Sequence, residues 1–483
     1  MISIRRCLIF AWMLAGLRLL SAGQNPPTQS APTQTSAEDS SRAAPATALS
    51  AMAGIETESG GEDAGGDLPH IPALLGGNRI SLAFASEGER SNYLRGGVNV
   101  GAIYDSNPLL LSSATESNTS ESIFPNIKLE QSSSRMRLAL GYAGGLTVNQ
   151  KITNQNQGSH NLNFDSLYRL SPHVNLHVAE NFSITTGFFD PGNDAAFVAG
   201  TGGPNLSLIA PLSTQRSSVT TVEANYQFAL NDLVGASGSF YDLHFTNVPG
   251  GASVTNSQTA TGSAFWLHRI VGPDWGGASY RFDRITFNVG GGETQVHSFL
   301  AINSVSFSKR FTLVSFIGPQ YSENQGLLPL AGQPTTSNDW SLAGGTEAGW
   351  RDQHTSLSAG YSRITSDGAG VLGTVRLQSV YFNLRRQLTP GWAAGLNVSH
   401  GTNQSMIVPT ATSANSANLT SVGVSLERNV GRSFGLRMGY SHDFQQEFGV
   451  PGSTQTSPLQ TFDASRDRFF VTLSYQWAKP IGM

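Results

Sequence analysis

Near the end of the chain, residues 469–477 read Phe469-Phe470-Val471-Thr472-Leu473-Ser474-Tyr475-Gln476-Trp477. Phe469, Val471, Leu473, Tyr475 and Trp477 alternate with Phe470, Thr472, Ser474 and Gln476. Successive side chains of a strand point to opposite faces, so this stretch is a strand with one apolar, aromatic face and one mostly polar face. The pattern recurs upstream, with Phe434, Leu436, Met438 and Tyr440 set against Gly435, Arg437, Gly439 and Ser441. It is found again at 392–399, at 222–228 and at 135–142. One stretch breaks the rule: residues 375–384 change parity midway, which points to a bulge or a misplaced boundary.

Read outward from these segments, residues 93–483 parse into about 18 strands (16–18), beginning near 96, 122, 135, 160, 173, 217, 233, 257, 275, 294, 311, 339, 354, 374, 391, 418, 433 and 466. Their connections alternate in length. Tight turns such as Asn231-Asp232, Lys309-Arg310 and Thr389-Pro390 are separated by long polar stretches near 105–121, 186–215, 319–337, 403–417 and 445–465. Sorting of short and long connections places every second one on the same side of a boundary. The expected fold is therefore all-β: a transmembrane up-and-down antiparallel β-barrel whose tight turns face the periplasm.

Composition agrees. Charged residues are 13% of the 483, against about 25% in an ordinary soluble protein. A chain with 39% hydrophobic residues and 53 Gly is too apolar to be disordered throughout. The formal charge of −4 leaves no basic patch for phosphate, so nucleic acid is not an expected partner. No run of 18 apolar residues follows residue 22, which excludes a helical membrane protein. Residues 1–23, with Arg5 and Arg6 before the run Cys7–Leu20 and the small exit Ser21-Ala22-Gly23, read as a secretory signal peptide. Cys7 is the only cysteine, so the remainder has no thiol for a disulfide, a zinc site or a nucleophile. Residues 24–92 are rich in Pro, Ser, Thr, Ala and acid and read as a disordered acidic periplasmic tether, with a short apolar patch at Leu68–Leu75 that could dock elsewhere.

An arginine facing lipid near the midplane costs roughly 2–4 kcal/mol, whereas one facing the lumen is solvated. The expected lumen-lining charges are therefore Arg135, Arg137, Glu223, Arg281, Asp283, Arg376, Glu427 and Arg437. Indole prefers the interface between hydrocarbon and headgroups. Trp266, Trp275, Trp350, Trp392 and Trp477 lie near tight turns or the last strand end, and Trp340 near a long loop, so they are expected to form an interface girdle. A ring of this size is too wide for side chains to fill, leaving an aqueous channel unless a loop or the tether occludes it.

The first strand, Gly96-Gly97-Val98-Asn99-Val100-Gly101-Ala102-Ile103, ends in Tyr104-Asp105-Ser106-Asn107. This Gly-rich opening resembles that of the outer-membrane β-barrel porins, a family with members placed beside surface-polysaccharide genes. The resemblance implies the cell outer membrane as location and the barrel-assembly machinery as a partner. Such barrels commonly end on an aromatic residue, whereas here Trp477 is followed by Ala478–Met483.

Residues that invite chemistry read better as structure. Gly368-Ala369-Gly370-Val371-Leu372-Gly373 matches a dinucleotide loop, but a strand-like segment follows where a helix is required, so it reads as an outer loop. His173 and His177 share a face without a third ligand. Ser441-His442-Asp443 cannot converge on one strand, and His442 follows the lipid-facing parity. Asp190, Asn193 and Asp194 read as a Gly/Pro-rich turn rather than a calcium site. No cofactor, metal or enzymatic activity is expected. The leading expectation is a passive channel for small hydrophilic solutes, with a periplasmic partner for the tether. The alternatives are a conduit for exported polysaccharide, which rests on the family resemblance, and a structural or adhesive barrel.

Overall fold

The computed structural model describes residues 92–481, except 109–115, 153–155, 187–212, 247–254, 289–291, 328–333, 369–371, 407–413, 432 and 450–461. The signal peptide, all of the tether but Asn92, and the Asp190/Asn193/Asp194 turn lie outside the described residues. The first nine strands are β1 (Tyr93–Asp105), β2 (Asn118–Ser132), β3 (Met136–Asn149), β4 (Gln157–Ser171), β5 (Val174–Thr186), β6 (Thr214–Ala229), β7 (Asp232–Thr246), β8 (Ser257–Val271) and β9 (Asp274–Phe287). The second nine are β10 (Glu293–Ser308), β11 (Phe311–Leu327), β12 (Pro334–Arg351), β13 (Thr355–Gly368), β14 (Leu372–Thr389), β15 (Trp392–Ser405), β16 (Ala414–Val430), β17 (Phe434–Gly449) and β18 (Phe462–Pro480). Each strand pairs antiparallel with its sequence neighbours, and β1 pairs with β18, so the 18 strands form a closed up-and-down barrel.

Side-chain alternation sorts the two faces. On β18 Leu473 is 56% exposed on the outer face while Thr472 and Ser474 are buried on the inner one. Val100, Leu140, Phe299, Leu342 and Val380 are exposed in the same way on other strands. A continuous apolar belt on this scale is a lipid surface rather than a water surface. On β12 the outward Trp340 and Trp350 stand ten residues apart, which matches the roughly 9–11 residues a tilted strand needs to cross hydrocarbon. Polar outward groups mark the upper border of the belt on the long-loop side. There the Tyr142 hydroxyl meets His160 Nδ1 at 2.9 Å and the Tyr280 hydroxyl meets His297 Nδ1 at 2.8 Å.

The strands that rise from tight turns begin within one residue of the positions the alternation predicts. Those that descend from long loops begin up to five residues earlier, at Ala414 rather than 418 and at Pro334 rather than 339. Above the lipid belt the ladder continues through polar sequence, where backbone pairing persists but hydrophobic alternation does not. The tight turns are selected by backbone geometry, and Gly431, between β16 and β17, has φ +66°, a conformation costly for residues with a Cβ.

Ala478, Lys479 and Pro480, after Trp477, are part of the wall. Ala478, Lys479 and Pro480 face Arg95, Leu94 and Tyr93 of β1, and the Ile481 amide donates to the Asn92 carbonyl at 2.9 Å. Trp477 itself lies across Gly96, where an added Cβ would meet the indole at 2.4 Å. Leu473→Arg, at the centre of the outward row of β18, is expected to lower stability by about 2–4 kcal/mol, read as a shifted urea midpoint for unfolding from lipid vesicles.

Candidate functional site

The interior of the barrel is the one surface that its closure encloses, and its wall is built from the inward residues of every strand. On β4–β6 this wall is polar. The Asn181 amide donates to Asn163 at 2.6 Å, and Asn163 donates to Asn161 at 2.7 Å. His177 Nε2 lies 2.8 Å from Asp165 and faces Glu223 across the β5–β6 ladder, and Glu223 accepts from Asn225 at 2.6 Å.

The inward charges sit in compensated groups. Arg281 holds Asp283 at 2.6 Å, and Asp283 also accepts from the Thr261 hydroxyl at 2.7 Å. Nearer the tight turns, Glu427 is bracketed by Arg385 at 3.0 Å and Arg437 at 3.5 Å, and Arg437 lies over the Phe470 ring. Across the β17–β18 ladder, buried Asp443 takes Arg466 at 2.8 Å, Arg468 at 3.0 Å and the Ser421 hydroxyl at 2.7 Å. Asp105 approaches the same Arg466 at 4.0 Å. Next to it, the Ser106 amide donates to the Asp467 carbonyl at 2.9 Å, and the Asn107 side chain donates to the Ser465 carbonyl at 3.1 Å. The Tyr-Asp-Ser-Asn end of the first strand is therefore the clasp that completes the ring against β18.

One seam stops partway up the wall. The β11–β12 ladder runs up to Leu327–Pro334, but β12 pairs with β13 only from Arg351–Ser356 to Gly344–Arg363. Above that point β13 and β14 stay paired to each other, β14 stays paired to β15 up to Val375–Ser405, and this edge of the sheet curls into the barrel. Thr365 donates to Gln320 of β11 at 2.8 Å, the Thr374 and Thr294 hydroxyls meet at 2.6 Å, and Arg376 pairs with Asp339 of β12. At the tip, Ser257 of β8 donates to Asp367 at 3.0 Å. Ile364, Leu372, Val375 and Leu377 of the hairpin belong to one buried apolar cluster with Phe265, Leu267, Leu300, Ile302 and Ala343.

This infolding corrects three sequence expectations. The parity change within 375–384 is not a bulge, since the β13–β14 register runs unbroken from Val375 to Arg386. Below it Val380 faces lipid; above it the polar positions Thr374 and Arg376 turn to the inner wall of β10–β12, and Val375 and Leu377 are buried. Gly368 ends β13 and Leu372 and Gly373 begin β14 in this infolded hairpin, so the described ends of the Gly368–Gly373 motif lie inside the ring rather than in an outer loop. The interior is not a uniformly polar bore: among the described residues its β7–β10 and β12–β14 sides carry a buried apolar cluster.

The sequence-selected residues fall as follows. Glu223, Arg281, Asp283, Glu427 and Arg437 take inward positions in the groups above, and Arg137 is exposed near the start of β3. Arg135 is exposed in the turn between β2 and β3, outside the wall, because the strand begins one residue later. Arg376 sits on lipid-side parity and reaches Asp339 only because its hairpin folds in. Trp266, Trp340 and Trp477 are exposed on the outer face, and Trp350 and Trp392 share it by alternation. Trp275 departs from the girdle: it is 1% exposed on the inner side, with the Arg269 guanidinium 5.0 Å from its ring. Proximity to a turn does not fix which face a residue takes; parity does. His173 lies in the β4–β5 turn, away from inward His177. Ser441 and Asp443 point inward while His442 points outward to Asp467, 2.8 Å away. The sequence reading missed Arg385, Arg466 and Arg468, whose partners lie on neighbouring strands and become visible only once register is known.

No family model matches the chain, and no curated protein matches it in sequence. Among solved structures it is similar to the ferric citrate transporter FecA in its unliganded form, at 8% identity and TM-score 0.43, over 80% of this chain and 79% of that one. It is similar to the Pseudomonas aeruginosa outer membrane protein OpdK at 10% identity and TM-score 0.38, over 80% and 99%. It is also similar to Pseudomonas aeruginosa OprD at 9% identity and TM-score 0.39, over 83% and 100%. At such identity and TM-score the likeness carries no argument about cargo or mechanism.

Removing the carboxylate at the clasp would leave two buried guanidinium groups without their main partner. Asp443→Ala is expected to destabilise the barrel by about 3–5 kcal/mol, checked by urea unfolding from vesicles against the exposed control Arg310→Ala.

Proposed function

We propose that this protein is an outer-membrane channel through which small hydrophilic solutes diffuse passively. The observation that carries the reading is the interior of the closed ring. Its β4–β6 side is lined by Asn161, Asn163, Asn181, His177 and Asp165, within a belt of lipid-facing residues. The signal peptide read from residues 1–23 and the tight-turn side of the barrel support placement in the outer membrane, reached through the periplasm. The barrel-assembly machinery is the partner that insertion of such a barrel calls for, and the acidic residues 24–92 are the segment we assign to a periplasmic partner.

The inward charges are paired rather than gathered by sign, so the interior imposes no strong field on a passing ion. Full-length protein in planar bilayers is expected to show stepwise conductance with cation and anion permeabilities of similar size. A correctly folded barrel that stays silent would overturn the reading. Glu427→Gln, which removes the acid between Arg385 and Arg437, is expected to shift the reversal potential in a salt gradient toward anion selectivity.

A further inference from the structure

The segment before β1 joins the barrel at its tight-turn rim. Asn92 accepts from the Ile481 amide at 2.9 Å through its carbonyl and from the Ser132 amide at 3.0 Å through its side chain, so the chain enters where β1, β2 and β18 have their tight-turn ends. Residues 24–92 carry nine Asp/Glu against three Arg, and the apolar run Leu68–Leu75 follows closely on Glu62, Asp63 and Asp67. A ring of 18 strands is roughly 35 Å across. Residues 76–91 span up to roughly 50 Å when extended, so the apolar run can reach any part of that mouth.

The inner wall at this end has a surplus of cations. Arg137, Arg169, Arg269, Arg351, Arg385 and Arg437 stand on inward rows beside the tight turns. The acids on the same rungs are fewer: Glu130, shared by Arg95 and Lys128, Glu347, and Glu427 between Arg385 and Arg437. The wall is also buried there. Leu233, Leu267 and Trp275, inward at the tight-turn ends of β7–β9, are 1–2% exposed, with Arg269 stacked on the Trp275 ring. Asn175, at the start of β5, is 2% exposed, and neither polar atom of its side chain has a partner among the described residues. It stands opposite Asn225 of β6, which stands opposite Gly235 of β7, so these residues form one patch with Leu233. A ring of this width is not filled by its own side chains, and the hydrogen bonds and ion pair of the infolded hairpin lie in the long-loop halves of β8, β10, β11 and β12.

We propose that residues 62–75 of this same chain seat on the inner wall of β5–β9 at the tight-turn end and act as a stopper of the channel. Leu68–Leu75 covers Leu233, Leu267 and Trp275, and its backbone supplies the donor and acceptor that suit the Asn175 amide. Glu62, Asp63 and Asp67, just ahead of that run, meet the cationic rim at Arg269. The inference rests on the reading of the interior as a channel and adds its regulation: similar cation and anion permeabilities then depend on acids that this segment brings to the mouth. Residues 24–61 remain for the periplasmic partner.

The test compares the full chain in planar bilayers with two deletions of equal length, one of residues 62–75 and one of the uncharged residues 24–37. Deleting 62–75 is expected to raise the conductance step roughly twofold and to shift the reversal potential in a salt gradient toward anions, while deleting 24–37 changes neither. Glu62→Gln/Asp63→Asn/Asp67→Asn, which keeps the length, should reproduce the shift in selectivity. Benzoylphenylalanine in place of Ile71, irradiated in lipid vesicles, should cross-link within one chain to peptides of β5–β9, identified by mass spectrometry after digestion.

Conductance and selectivity that stay the same without residues 62–75, or a probe at position 71 that never reaches β5–β9, would overturn the stopper alone and leave the channel standing. Equal effects from the two deletions would overturn it too, since only the acidic, apolar segment matches this wall. A silent full chain that conducts once 62–75 is deleted would support the stopper and sink the open channel. A folded protein silent in both forms would sink the channel reading and, with it, the stopper's role; the cross-link to β5–β9 would then decide the seat by itself.

Discussion

Backbone amides and carbonyls have no partner in hydrocarbon, and almost every feature of this chain follows from that constraint. A sheet of 18 strands satisfies it only by closing, so β1 must find β18 across almost the whole length of the sequence. The closure carries more than ladder hydrogen bonds. Asp105, Ser106 and Asn107 at the end of β1 engage Arg466, Asp467 and Ser465 at the start of β18, and Ala478–Pro480 complete the opposite end beside Tyr93–Arg95. A buried carboxylate held by two guanidinium groups fixes the register there, because a slip by one residue would turn Asp443, Arg466 and Arg468 toward lipid.

The same constraint gives meaning to the place where the ladder is left incomplete. A wall that could be zipped along the whole of β12–β13 is instead replaced in its upper half by side-chain bonds from an infolded hairpin to β8, β10, β11 and β12. The hairpin exchanges one set of backbone partners for a buried apolar cluster and several polar contacts. The interior is divided in consequence, polar along β4–β6 and apolar along β7–β10 and the hairpin.

Much of this was legible in the sequence. Alternation in Phe469–Trp477 and its upstream relatives identified the strands and their number. The tight-turn strand starts were placed closely because hydrophobic alternation continues down to those turns. The long-loop ends were less legible, since the ladder there runs on through polar residues that carry no period. The parity change within 375–384 was the one visible trace of the infolded hairpin, and it could be read correctly only with the partners of Thr374 and Arg376 in view.

Periodicity, charge scarcity and loop alternation by themselves determined a lipid-facing, closed antiparallel barrel, because a local period of two and the cost of charge in hydrocarbon act residue by residue. Tertiary structure alone decided which charges meet, that Trp275 packs inward under Arg269, and that β13 parts from β12 and curls inward with β14. Those outcomes depend on register and on contacts between strands distant in sequence, such as Ser257 with Asp367, and no local pattern encodes the distance between two segments that meet only when the ring has closed.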